Sequence, residues 1–199
     1  MSLQLYVVRH GQTWANREGR YLGALDAELT EEGRQQAETL RNALPAQIDV
    51  LVSSPLLRAR QTAEILNQSL SLPLNVDSHF RERNVGVFEG LTQAEARTRY
   101  PQLWARNITR QWQQAPDGGE TIAEVVERVR LGLNGLVERH AGGTVVLVAH
   151  GFVGKTVRAL VRGDFSDFFD WQLENGQLLA LENVGGIALP NEALTSSPA

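Results

Sequence analysis

An α/β protein, built as a three-layer α/β/α sandwich around a mostly parallel sheet, is predicted from three observations. Short apolar runs rich in β-branched residues alternate with amphipathic helical segments along most of the 199 residues. Two of those runs, far apart in sequence, end in His followed by Gly, at His10–Gly11 and His150–Gly151. The longest helical repeat, Ile122 to Val137, is closed by Gly142 and Gly143 and followed by Thr144 to Ala149, a nearly continuous apolar run suited to a strand covered on both faces.

Taken in order, Leu3 to Val8 reads as a buried first strand whose end presents Arg9 and His10. Thr30 is an N-cap candidate; Glu31 and Glu32 suit the positive end of a helix dipole, and Ala37, Leu40, Ala43 and Leu44 supply an apolar face. Asp49 to Ser53 is a second strand, and Pro55 suits the first turn of a helix carrying Leu56, Ala59, Ala63, Ile65 and Leu66. Leu74 to Val76 is a third strand, and Arg81 to Gly90 a charged, glycine-punctuated loop of the kind that carries function.

Between Leu91 and Pro116 the periodicity weakens. A short helix over Thr92 to Tyr100 and irregular sequence around Trp104 and Trp112 suggest a cap-like insertion at about residues 91–118 within one domain spanning residues 1–199. Ile122, Val125, Val126, Val129, Leu133, Leu136 and Val137 then recur at three- and four-residue steps, the buried stripe of a long helix. A helix from Val153 to Val161, an aromatic cluster from Phe165 to Trp171, and two strands, Leu178 to Leu181 and Val184 to Leu189, complete the chain; the segment after Pro190 reads as a frayed tail.

Composition narrows the function. A formal net charge of −4 argues against nucleic acid or an anionic membrane as the main partner, so any anion site has to be basic locally. With no cysteine, disulfides, thiolate metal sites and thiol nucleophiles are excluded. The opening MSLQLYVVRHG lacks the basic region and small-residue cleavage pattern of a leader, and no apolar run is long enough to span a bilayer; a cytoplasmic protein is expected.

Ligands of parallel α/β sheets bind outside the carboxyl ends of the strands, where both His-Gly pairs fall. Glycine lets the backbone approach a ligand closely, and Arg9 beside His10 offers the planar fork that suits phosphate oxygens. Phosphate is the natural ligand. The segments RHGQTWAN (Arg9 to Asn16), SSPLLRARQTA (Ser53 to Ala63), RERNVGVFEGL (Arg81 to Leu91), PDGGET (Pro116 to Thr121) and VAHG (Val148 to Gly151), in that order, resemble the histidine phosphatase superfamily, whose fold is phosphoglycerate mutase-like.

That resemblance implies His10 as the nucleophile, with Arg9, Arg58 and His150 forming the phosphate pocket and Glu82 acting as proton donor. It further implies phosphate binding by Asn16, with Thr13 in the same motif, and a reaction needing neither metal nor organic cofactor. The expected activity is hydrolysis of small phosphorylated metabolites through a phosphohistidine intermediate. The physical logic agrees: a neutral imidazole attacks with one nitrogen while the other donates to an acceptor, and nearby guanidinium groups hold the ring neutral and stabilise the transferring group.

Each residue also has a plainer reading. Glu82 competes with Glu89 and Glu95 as the acid, or pairs with Arg81 or Arg83; Arg60 reads as a solvated charge, and His79 and His140 as surface or structural residues. A metal held by His10, His150 and Glu82 is disfavoured by the cations Arg9 and Arg58. Within Gly19 to Thr30 the resemblance leads one to expect a polar residue at Leu22 and Pro at Glu28, so substrate contacts there differ. Trp14, Tyr21, Trp104 and Trp112 either line a pocket mouth or pack in the core or rim.

Two rival functions share these residues. A cofactor-dependent phosphoglycerate mutase would pass the phosphoryl group to a sugar acid, although the region after Leu91 lacks a long basic insertion; a non-catalytic phospho-ligand module would keep the pocket without turnover. An exposed edge strand or the C-terminal aromatic cluster is a candidate homodimer contact.

Overall fold

The computed structural model describes residues 2–188. Its five strands are β1 (Leu3–Arg9), β2 (Val50–Ser53), β3 (Leu74–Val76), β4 (Thr144–Ala149) and β5 (Leu178–Val184). They form one sheet in the order β3-β2-β4-β1-β5, parallel except for β5, which runs antiparallel to β1 at the edge.

Alternation along the strands builds the layers. On one face Leu3, Leu5 and Val7 of β1 join Val145, Leu147 and Ala149 of β4 under helices α6 (Ile122–Arg139) and α7 (Gly151–Arg162). On the other, Val8 of β1 joins Val146 and Val148 of β4 and Leu51 of β2 under α2 (Glu31–Arg41) and α3 (Leu57–Asn67). Strands β1 and β4 are therefore buried on both faces, which explains their nearly continuous apolar sequences.

The chain leaves β1 toward the α2–α3 layer and leaves β4 directly into α7 on the opposite layer. Adjacent parallel strands that diverge in this way open a crevice at their carboxyl ends, and His10 and His150 stand there. The first residue beyond β1 is held in register, because the His10 amide donates to the Ala149 carbonyl at 3.1 Å.

Local sequence signals fix the helix starts. Thr30 accepts from the Gly33 amide, and Thr121 and Glu124 form a reciprocal capping box that opens α6. Helix α3 differs from expectation: Pro55 precedes the N-cap Leu56, which has no capping side chain, and the Leu57 amide instead donates to Asp26 of a remote loop at 2.6 Å. A tertiary contact replaces the local cap. The four-residue helix α1 (Trp14–Arg17), unanticipated in the sequence, is opened by a Thr13–Asn16 capping box.

The segment after β3 holds α4 (Gln93–Arg99), α5 (Pro101–Ala105) and a 3₁₀ turn at Ile108–Arg110. Its small core of Phe88, Leu91, Ala96 and Ile108 recruits Tyr21, Val85 and Trp104, so this unit is built from the charged loop and the β1–α2 connection as well as from residues 91–118. Trp112 belongs to the main core, 4% exposed, with ring centroids 5.5 Å from those of Phe165 and Phe168.

At the C-terminal end one strand, β5, replaces the two expected ones. Residues 185–188 have no strand pairing, and the remainder of the second expected strand and the expected frayed tail lie outside the described residues. Val184 still points into the core because it pairs with Leu3 as the last rung of β5. Among the described residues no helix is long and apolar enough to cross a membrane.

Candidate active site

His10 is 3% exposed, and its ring is fixed by one bond: Nδ1 lies 2.7 Å from the Gly11 carbonyl oxygen. A carbonyl can only accept, so Nδ1 carries the proton, and in the neutral ring Nε2 keeps its lone pair. Burial first, then the guanidinium groups of Arg58 and Arg9, hold the His10 pKa well below its ordinary value of 6.5. The ring is neutral and fixed in orientation, with the Nε2 lone pair uncommitted.

The loop that carries it is held on several sides. The Gly11 amide donates to Thr62 Oγ1 of α3 at 3.1 Å, and the Asn175 side chain donates to the His10 carbonyl at 3.0 Å. Gly11 faces the backbone of Gly33 in α2, and any side chain at either position would collide with the opposing backbone. Only glycine permits this approach of loop to helix.

His150 is fully buried at the end of β4, its ring centroid 5.1 Å from that of His10. Its Nε2 lies 2.7 Å from Ser54 Oγ, and its Nδ1 has no hydrogen-bond partner in the protein. Arg58, equally buried, donates from Nη1 to the Leu25 carbonyl at 2.7 Å and from Nη2 to the Gly23 carbonyl at 2.8 Å. Burial lowers its pKa to about 10, against the opposing pull of Glu82, Asp26 and Glu89.

Arg9 donates from Nη1 to the Leu173 carbonyl at 2.7 Å. The Nε groups of Arg9 and Arg58 are buried and unpartnered, as is His150 Nδ1. Two buried guanidinium donors without acceptors are costly, and together with the unpartnered His150 nitrogen they mark a site that an anion satisfies. A phosphoryl group carries enough acceptor oxygens for all three.

Glu82 lines a cleft together with Arg9, its Oε1 accepting from the Arg83 amide at 2.9 Å and its Oε2 from the Phe152 amide at 3.1 Å, in the first turn of α7. Glu89 is occupied elsewhere: it accepts from the amides of Gly23, Ala24 and Val85, bracing the loop whose carbonyls hold Arg58. Glu95 caps α4 and pairs with Arg20. Among the three carboxylates weighed as the acid, Glu82 is the one lining the cleft.

The remaining candidates sort by geometry. The Thr13 hydroxyl donates to Asn16 Oδ1 at 2.9 Å and accepts from the Asn16 amide, so Thr13 orients Asn16. Asn16 Oδ1 also accepts from Asn175, which leaves its amide nitrogen as the group suited to an anion. Tyr21 and Leu22 line the cleft, Trp104 lines a neighbouring cavity, Trp14 is 40% exposed, and Glu28 faces solvent. Arg60 is exposed beside Glu64, His79 pairs with Asp77, and His140 caps α6.

Sequence reasoning passed over Arg83, Arg110, Phe152, Lys155, Phe169 and Gln172, which also line this cleft of about 280 Å³. Lys155, four residues after Gly151 on the same helix face, was within reach of a periodicity argument. The others come from separate elements.

The two buried neutral rings predict a pH effect on stability. Burial likewise holds His150 well below 6.5. Both folded-state values thus lie below the unfolded ones, so the unfolded chain takes up protons first as pH falls. Their contribution is complete above about pH 6.5 and shrinks on acidification by up to about 1.4 kcal/mol per pH unit for each ring. Urea midpoints measured between about pH 6.5 and 5 should fall more steeply for the wild type than for the doubly substituted His10→Asn/His150→Asn protein. Parallel slopes would refute the assignment.

Comparison with known proteins identifies the family. The sequence profile of the histidine phosphatase superfamily (branch 1) matches residues 5–186, and the chain belongs to that superfamily. It is 31% identical over 175 residues to phosphoserine phosphatase 1 of Hydrogenobacter thermophilus, covering 87% of this chain and 83% of that one. It is 36% identical over 151 residues to a probable phosphoglycerate mutase GpmB of Salmonella choleraesuis, covering 75% and 70%. A mycobacterial glucosyl-3-phosphoglycerate phosphatase, solved in complex with VO3, superposes with a TM-score of 0.81 at 31% identity, covering 93% of this chain and 99% of that one.

Proposed function

We propose that this enzyme hydrolyses phosphomonoesters of small metabolites in two transfers through His10. His10 Nε2 attacks phosphorus, the P–N bond forms as the ester P–O bond breaks, and the leaving alkoxide takes a proton from Glu82. Water then attacks the phosphohistidine, gives its proton to Glu82, and inorganic phosphate departs as the P–N bond breaks. Arg9, Arg58 and His150 Nδ1 hold the phosphoryl oxygens through both steps, with Asn16 supplying a further donor. Phosphorylated metabolites as substrates make a cytoplasmic setting the expected one.

The observation that carries this reading is the His10 ring itself, neutral, with Nδ1 tied to the Gly11 carbonyl and seated beside two buried guanidinium groups. Hydrolysis is favoured over transfer to a sugar acid because the sequence relative named a phosphatase matches 87% of the chain, against 75% for the relatives named probable phosphoglycerate mutases. The segment containing α4, α5 and the 3₁₀ turn acts as a cap, lending Thr109 and Arg110 to the cleft wall.

The test supplies 3-phosphoglycerate with a trace of 2,3-bisphosphoglycerate. Release of inorganic phosphate should exceed formation of 2-phosphoglycerate. The reverse order would make the protein a mutase, and binding of phosphate with no turnover of any ester would make it a binding module.

A further inference from the structure

The cleft holds more positive charge than one phosphate requires. Its lining includes Arg9, Arg83, Arg110 and Lys155 against the single carboxylate of Glu82, in a chain whose net charge is −4. Arg9 serves the phosphate together with Arg58, which leaves three cations on the wall beyond.

Their surroundings are those of a built recognition surface. Arg83 is 3% exposed and held by bonds from Nε to the Glu120 carbonyl at 2.8 Å and from Nη1 to the Thr109 carbonyl at 2.7 Å, while its Nη2 is buried without a partner. Lys155 is half-buried over two rings, its Nζ 5.8 Å from the Phe152 centroid and 5.5 Å from that of Phe168. It makes no hydrogen bond or ion pair among the described residues. Arg110 lies 5.1 Å from the Phe169 ring, opposite α7. Burial pulls the Lys155 pKa down although Glu82 lies near enough to oppose it, as expected for an ammonium held from water with no direct counter-ion.

We propose that Lys155, with Arg83 Nη2 and Arg110, binds a second anionic group on the leaving-group side of the substrate, a carboxylate or a second phosphate. This rests on the hydrolase reading and specifies its substrate class. The spacing is defined by α7: Lys155 follows Gly151, which abuts Arg9, by one helical turn, about 5–6 Å. The second anion therefore sits a few bonds from the ester oxygen, so compact phosphorylated acids and short bisphosphates fit, whereas neutral phosphorylated alcohols leave these cations unsatisfied.

Matched esters test this directly. The ratio of kcat/KM for 3-phosphoglycerate to that for glycerol 3-phosphate, which differ by carboxylate against hydroxymethyl, should be tenfold or more in the wild type. Lys155→Met, which keeps the side chain's length over the rings, should cut that ratio about tenfold while changing glycerol phosphate turnover less than about twofold; Arg110→Met should act in the same direction. Fructose 1,6-bisphosphate against fructose 6-phosphate separates a phosphate from a carboxylate as the second group, and selectivity in either pair that Lys155→Met removes supports the site. Ratios near unity in both pairs, or ratios that Lys155→Met and Arg110→Met leave unchanged, overturn it while the hydrolase reading stands. Turnover of none of these esters, nor of p-nitrophenyl phosphate, overturns both.

Discussion

His10→Asn is expected to lower kcat for p-nitrophenyl phosphate by about 10⁴-fold or more and to eliminate an acid-labile phosphoenzyme in rapid-quench experiments. The size follows from the geometry. The groups proposed to cradle phosphate, Arg9, Arg58 and His150 Nδ1, act as donors, and none of them can attack phosphorus at neutral pH. His150 is an imidazole 5.1 Å from His10, but its Nε2 faces Ser54, which occupies the nitrogen that would otherwise be a base. With His10 gone, no second nucleophile stands in its place.

Inorganic phosphate should still bind to His10→Asn, because the donors remain, and the fold should persist, because a buried neutral ring is exchanged for a smaller amide. Retention of more than about a hundredth of wild-type turnover, or binding lost together with turnover, would mean that His10 is part of the cradle and not the acceptor of the phosphoryl group.

Much of this was legible in the sequence, for identifiable reasons. Strands β1 and β4 are buried on both faces, so their apolar runs are long and end abruptly at His10 and His150. Helix α6 presents one stripe to the core and carries its cap in its own residues, Thr121 and Glu124. Both signals are local, and local signals survive without a structure.

What escaped was assembled from distant parts. Asp26 caps α3 across 31 positions, Asn175 reaches the His10 carbonyl across 165, and Glu89 braces the Arg58 loop across some 65. In sequence each is an ordinary polar residue in a loop. Arg83 sits beside Glu82 and reads as its ion-pair partner, yet its guanidinium turns to the carbonyls of Glu120 and Thr109 and leaves the carboxylate free for the cleft. The second strand expected at the C-terminal end failed because apolar residues there pack on α6 from an irregular segment: Ile187 is held by paired bonds with Asn134, and hydrophobicity alone does not distinguish that from a strand.

The second large effect concerns Glu82→Gln, and its signature is a split between kinetic parameters. For an alkyl phosphate, whose leaving oxygen must be protonated, kcat/KM should fall about 10³-fold; for p-nitrophenyl phosphate, whose leaving group departs as a stable anion, it should fall less than about tenfold. kcat/KM reports events through the first irreversible step, here the transfer to His10, and does not register the hydrolysis that follows. That second transfer needs the same residue as a base, which glutamine cannot be. With p-nitrophenyl phosphate kcat should therefore drop well below the wild-type value, nitrophenolate should appear in a burst, and phosphoenzyme should accumulate. Glutamine can keep one of the two backbone bonds, from Arg83 or Phe152, but its amide nitrogen cannot accept the other, so a small uniform loss is expected on top of the split. A loss of equal size in kcat/KM for both kinds of ester, with no burst, would show that Glu82 positions the α7 N-terminus and the Arg83 loop and moves no proton.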